Sequence, residues 1–260
     1  MPALPAIDVD SPKLPAGQGL ASASCSPLLD LRLADCMAVM RETPDNAYDL
    51  AIVDPPYGIG DRLVKGGGGN GAFSGMIASN ANEWDIVPPP EYFEELFRVS
   101  KNQIVWGGNF FDLPPCKMPI CWDKVRPNQK CASEWEYAWT SFEGRARLFA
   151  HCANAGFVAP EPRIHPTQKP VKLYSWLLEN WAKPGQRILD THMGSGSIAI
   201  ACHYRGHKLT ACEISADYYA AAVERIQRET RQMSLFTENA GGMARELAAQ
   251  DSESTTDING

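Results

Sequence analysis

Arg187-Ile-Leu-Asp-Thr-His-Met-Gly-Ser-Gly-Ser197 reads as a buried strand, a glycine turn and the start of a helix. Gly194 and Gly196 let the backbone approach a ligand closely, and the helix N-terminus beyond them favours a negative group. Ala199 takes the third glycine position, so this is a loose G-x-G loop rather than the full dinucleotide fingerprint, although Ala is tolerated there. Glu213 ends the next strand, 23 residues after Asp190. An acidic residue at about that offset can accept hydrogen bonds from ribose hydroxyls. The ligand is therefore expected to carry a ribose; a dinucleotide and S-adenosylmethionine both satisfy the motif.

Outward from this loop, short apolar strands alternate with helices. Strands are expected at Leu28–Asp35, Asp49–Asp54, Gln103–Trp106, Ile120–Trp122, Tyr137–Thr140, Arg187–Asp190 and Lys208–Glu213. Helices are expected at Cys36–Glu42, Glu91–Ser100, Val171–Trp181, Ser197–Tyr204 and Ala216–Arg231. In Glu91–Ser100 the apolar residues Tyr92, Phe93, Leu96, Phe97 and Val99 fall on one side at helical spacing. Buried strands alternating with helices imply an α/β domain with a parallel sheet covered on both faces. Residues 1–27 and 237–260 lack periodicity and are expected to be disordered tails, leaving one domain over 28–236.

The 260 residues are 44% hydrophobic and 21% charged, which excludes wholesale disorder. No apolar run is long enough to cross a membrane and no secretory signal opens the chain, so a cytoplasmic protein is expected. The eight cysteines form no paired C-x2-C; Cys116, Cys121, Cys131 and Cys152 match no zinc ribbon or finger, so free thiols and no metal are expected. The net charge of −7 is uneven: residues 98–172 carry +5 between acidic flanks. A basic middle is compatible with a local phosphate-binding face, because counterion release depends on the contact surface.

The most informative motif is Asp54-Pro55-Pro56-Tyr57, at the carboxyl end of a hydrophobic strand. Two prolines stiffen the turn and remove two donors, leaving its carbonyls as acceptors. Asp54 adds a further acceptor, and Tyr57 a flat face. Such a set suits the exocyclic amine of a planar base.

The chain resembles the S-adenosylmethionine-dependent DNA amino-methyltransferases of the N6-adenine/N4-cytosine class. DPPY at 54–57 is similar to that family's catalytic motif, HPTQKP at 165–170 to the segment preceding its cofactor motif, and ILDTHMGSGS at 188–197 to its cofactor loop. The catalytic motif comes first, as in the family's β group, a circular permutation of the usual order. The resemblance implies a Rossmann-like class I methyltransferase fold: a mostly parallel seven-stranded sheet with helices on both faces.

It further implies a catalytic set of Asp54, Pro55, Pro56 and Tyr57. The cofactor would be S-adenosylmethionine, held by Asp35, Cys36, Asp54, His165, Thr167, Lys169, Asp190, His192, Gly194, Ser195, Gly196, Ser197 and Glu213. Asp35 has a second reading as a helix N-cap. Where the family commonly has Asp-Pro-Phe, this chain has Asp190-Thr191-His192, and His192 is expected either to fill the phenylalanine's space or to make that corner polar.

The partner implied is double-stranded DNA, whose target base would be flipped out and stacked on Tyr57. Asp54 favours N6-adenine over N4-cytosine, since the family's cytosine members often carry Ser there. Lys124, Arg126, Lys130, Arg145 and Arg147 are candidate phosphate contacts, and about 109–165 the candidate target-recognition region. A homodimer is expected. Gln232-Met-Ser-Leu-Phe236 resembles the pentapeptide by which bacterial DNA-processing proteins bind the sliding clamp, and a bacterial or phage origin is implied.

Overall fold

The computed structural model describes residues 21–23, 26–59, 85–125, 133–151, 164–165 and 167–231. The strands are β1 (Ala21–Ala23), β2 (Leu29–Leu33), β3 (Leu50–Val53), β4 (Gln103–Trp106), β5 (Ile120–Asp123), β6 (Trp135–Thr140), β7 (Arg147–Ala150), β8 (Arg187–Asp190) and β9 (Lys208–Glu213). The helices are α1 (Cys36–Glu42), α2 (Pro90–Val99), α3 (Val171–Trp181), α4 (Ser197–Arg205) and α5 (216–231), with a 3-10 turn at Gly108–Phe110.

The strands form one sheet in the order β1-β2-β9-β8-β3-β4-β6-β5-β7. The run β2-β9-β8-β3-β4 is parallel throughout. β6 is antiparallel to both β4 and β5, and β1 is antiparallel to β2. Both faces are buried, as parallel strands require. Leu50 and Ile52 of β3 pack with Leu173 and Leu177 of α3, Ile198 of α4 and Ile226 of α5. Their neighbours Ala51 and Val53 point the other way, into Met40 of α1 and Tyr92, Phe93 and Leu96 of α2. The period of two along the strand thus splits the core into two layers.

Among the described residues the sheet has nine strands rather than seven. β1 falls inside the stretch expected to be a tail, and its Ala-Ser-Ala sequence carries no strand signal; its backbone pairs antiparallel with β2. β7 pairs parallel with β5 at the other edge, but its side chains are largely exposed, so it shows no apolar alternation. Within the 109–165 region, β5, β6 and β7 form one side of the sheet.

β3 and β8 are neighbours although Asp54 and Asp190 are far apart in sequence. From β8 the chain crosses to β9 on one side; from β3 it crosses to β4 on the other. That divergence opens a crevice at the carboxyl ends of the two strands, where open α/β sheets bind ligands.

Candidate active site

The turn after β3 is held from outside. Asp85 is buried and accepts the backbone N–H groups of Tyr57 (2.8 Å), Gly58 (3.1 Å) and Ile59. With no donors from Pro55 or Pro56, this carboxylate is what fixes the turn beyond them. The Tyr57 hydroxyl donates to Asp54 Oδ1. One face of the Tyr57 ring stacks on Phe110, with centroids 5.0 Å apart and planes 9° from parallel. Gly107 is in the left-handed region (φ 66°), and a Cβ there would lie 2.2 Å from the Tyr57 ring. The glycine therefore gives Tyr57 its place.

The sequence groups Lys169 with the cofactor residues; its ammonium pairs with Asp54 Oδ2 and lies 3.1 Å from Glu136 Oε2. Glu136 Oε1 in turn pairs with Lys124 at 2.6 Å. Charges thus alternate along Asp54, Lys169, Glu136 and Lys124. The Lys169 side chain is only 2% exposed. Burial alone would push its pKa down, but the two carboxylates outweigh that and raise it. Burial drives Asp54 up, with the charge of Glu136 adding and Lys169 opposing. Burial also drives Glu136 up, yet its two lysine partners hold it below the usual glutamate value. Tyr57 is pushed well above the usual phenol range by burial and by the charge of Asp54, so it remains a donor.

The glycine loop forms the adjoining wall. Gly194 and Gly196 take φ values of 50° and 73°. Glu213 accepts the Gly194 N–H through Oε2 and the Ser215 N–H through Oε1, both at 2.9 Å, so it braces the loop from β9. His165 packs over Gly194, meets Tyr218 edge-on at 4.5 Å and bonds Thr167 Oγ1 through Nδ1. Burial and the nearby Lys169 charge pull His165 down to about 4. Asp35 caps α1 by accepting the Met37 N–H at 2.9 Å, which bears out the capping reading. Cys36 follows it, half-buried, its thiol pushed up to about 12 by burial and by Asp35.

Ser195 and Ser197 are tied into the interior beneath the loop. Their side chains are buried, their hydroxyls lie 3.2 Å apart, and Arg225 of α5 donates to the Ser195 carbonyl and the Ser197 hydroxyl. His192 packs edge-on to Tyr92 at 5.5 Å. It makes that corner polar through a chain from Tyr92 to Thr191 (2.6 Å) to His192 Nδ1 (2.9 Å).

Asp190 is fully buried at the end of β8, accepts the His192 N–H, and is raised to about 8 by burial and by the nearby charges of Asp54 and Glu213. Asp190 and Glu213 place carboxylates at the two sides of the glycine loop, and the nearby buried cation, Lys169, is already paired with Asp54 and Glu136. A ligand with a cationic centre and donor hydroxyls fits that set of acceptors.

Of the candidate DNA contacts, Lys124 is not a free surface cation; it is paired with Glu136 and lies over the Trp122 ring. Arg145 and Arg147 are exposed, the latter reaching Asn180 at 3.2 Å. Arg126, Lys130 and Gln232–Phe236 lie outside the described residues, as do most of both tails. No metal-ligating cluster and no membrane-spanning helix occur among the described residues. Sequence reasoning missed Asp85, Glu136 and Arg225. A lone acid or base far from any motif gives no local signal, and only the tertiary fold reveals its partner.

A sequence profile of the N6/N4 DNA methylase family matches residues 105–224. The chain is 32% identical, over 242 aligned residues, to the type II methyltransferase M.HpaI of Haemophilus parainfluenzae, covering 77% of this chain and 76% of that one. Among solved structures, the M1.HpyAVI–SAM complex superposes with a TM-score of 0.50 at 18% identity, covering 76% of this chain and 99% of that one. The PvuII DNA methyltransferase, described as cytosine-N4-specific, also gives 0.50, at 11% identity, covering 78% and 92%.

Proposed function

Because this chain belongs to the family of S-adenosylmethionine-dependent DNA amino-methyltransferases, we propose that it methylates the exocyclic N6 amine of adenine in a specific sequence of double-stranded DNA. The observation that carries this reading is the ionisable Asp54, presented on a stiff Pro-Pro-Tyr turn beside the glycine loop of the adjacent strand. S-adenosylmethionine supplies an activated methyl group on a cationic sulfonium. The carboxylates of Asp190, Glu213 and Asp54 suit that charge and the ribose hydroxyls, and Asp35 has a second oxygen beyond its cap for a further donor.

The remaining work falls to this chain's own residues. An adenine amine is a weak nucleophile because its lone pair is delocalised into the ring. Asp54 and the Pro55 carbonyl accept its two N–H groups, which pulls the nitrogen towards a pyramidal geometry and aims the lone pair. Tyr57 supplies the plate for a flipped base, with its hydroxyl tied to Asp54 so that plate and acceptor move as one unit. Positioning and electrostatics provide most of the acceleration, and no covalent enzyme intermediate is required.

Incubating the protein with methyl-labelled S-adenosylmethionine and unmodified DNA, then digesting and identifying the nucleoside, tests this directly. N6-methyladenine is expected. Label in N4-methylcytosine would instead favour the second reading, which the likeness to the cytosine-specific PvuII fold keeps in play. Asp54→Ala should lower transfer by about 100-fold or more, as loss of an electrostatic acceptor does elsewhere, with cofactor affinity largely retained. Near-normal turnover in that variant would contradict the role of Asp54.

A further inference from the structure

Asp54 has no oxygen waiting for a substrate. Oδ1 is taken by the Tyr57 hydroxyl and Oδ2 by the Lys169 ammonium. A target amine that donates to Asp54 must share or displace one of them. Tyr57 is fixed by Asp85 at its backbone and by Phe110 at its ring. Lys169 has somewhere else to go. Its Nζ already lies 3.1 Å from Glu136 Oε2, and that oxygen is buried and accepts no well-directed hydrogen bond. The other Glu136 oxygen is anchored by Lys124, so the carboxylate cannot swing away. Trp106, whose ring lies 5.3 Å below Nζ, gives the ammonium a cation–π floor between its two acceptors.

We propose that Glu136 is a positioning residue that receives the Lys169 ammonium when the target amine takes its place on Asp54. The inference rests on the amino-methyltransferase reading above. Handing the ammonium from one carboxylate to the next needs only a small shift of Nζ. It keeps the buried lysine paired at every stage, and it leaves Asp54 ionised and free to orient the amine. Without Glu136, Lys169 would stay clamped on Asp54 and compete with the substrate, because an unpaired ammonium in so buried a place is strongly disfavoured.

The test compares wild type, Glu136→Gln, Lys169→Gln and the double variant in initial-rate methyl transfer across a pH series, with cofactor binding and thermal melting measured in parallel. The groups facing Asp54 are Lys169, Glu136 on β6, Asp190 on β8, and the hydroxyls of Tyr57 and Tyr174. Glu136→Gln should lower kcat about tenfold, while cofactor affinity stays within about twofold. Its acid limb should move to lower pH, because the repulsion that Glu136 exerts on Asp54 is gone. A merely structural role would lower the plateau and leave the limb in place.

The double variant should be no slower than Lys169→Gln alone, since one residue acts through the other. If Glu136→Gln does not fold, Glu136→Asp keeps the charge but withdraws it from Nζ, and should slow transfer with the limb unmoved. Wild-type rate and limb in Glu136→Gln, or additive losses in the double variant, would overturn the hand-over while leaving the enzyme assignment standing. A wild-type protein that transfers no methyl group to DNA would sink the assignment and the hand-over together.

Discussion

His192 and His165 illustrate how single residue types set the chemistry of the crevice. Burial pulls each down to about 4, well below the usual histidine range, so both are neutral in the folded chain. A histidine depressed in the folded state and ordinary in the unfolded one costs stability as pH falls between the two values. The melting temperature should therefore drop from pH 6.5 towards pH 4, and His192→Asn should flatten that drop by about half. Asp190 behaves in the opposite sense. Raised to about 8, it is substantially protonated near neutrality in the free protein. Binding a cation beside it should drive that proton off. Calorimetry of S-adenosylmethionine binding near pH 7.5, in buffers of different ionisation enthalpy, should register proton release, and Asp190→Asn should abolish it. Asp54, Glu213 and the glycines were legible in the sequence because their meaning lies in local spacing. The pairing of Lys169 with Asp54 was not, because 115 residues separate them and only the fold brings them together.

The elements carry these residues on unequal supports. β3, β8 and β9 are central, with neighbours on both sides, and their sequences are apolar enough to be read from pattern alone. Expected and observed helices agree to within a residue at each end, since amphipathic spacing and proline stops mark them. The edge strands β1 and β7 were illegible for the converse reason: each is short, pairs on one side only and lacks an apolar alternation in its sequence. The turn after β4 is where an element meets the chemistry. A Cβ at Gly107 would strike the Tyr57 ring, and its φ of 66° is unfavourable for other residues. Gly107→Ala should cost about 1–3 kcal/mol of stability and lower kcat more than it weakens cofactor binding. Urea unfolding and single-turnover kinetics would separate the two effects.

Across the whole molecule, the local excess of positive charge is less available than the sequence suggests. Lys101 pairs with Asp49, Lys117 with Glu143 and Lys124 with Glu136. Reversing Lys101 or Lys117 to Glu should therefore leave DNA affinity nearly unchanged. Arg126→Glu with Lys130→Glu should reduce the slope of log affinity against log salt by about 0.9 per lost phosphate contact. Filter binding at several salt concentrations distinguishes the outcomes. The sheet imposes a different kind of economy. The turn bearing Asp54 and the loop bearing Gly194 hang from adjacent strands of one ladder, so unfolding of that ladder takes both. Gentle heating should extinguish donor capture and methyl delivery at a single temperature, with no window in which the protein holds its nucleoside and merely idles.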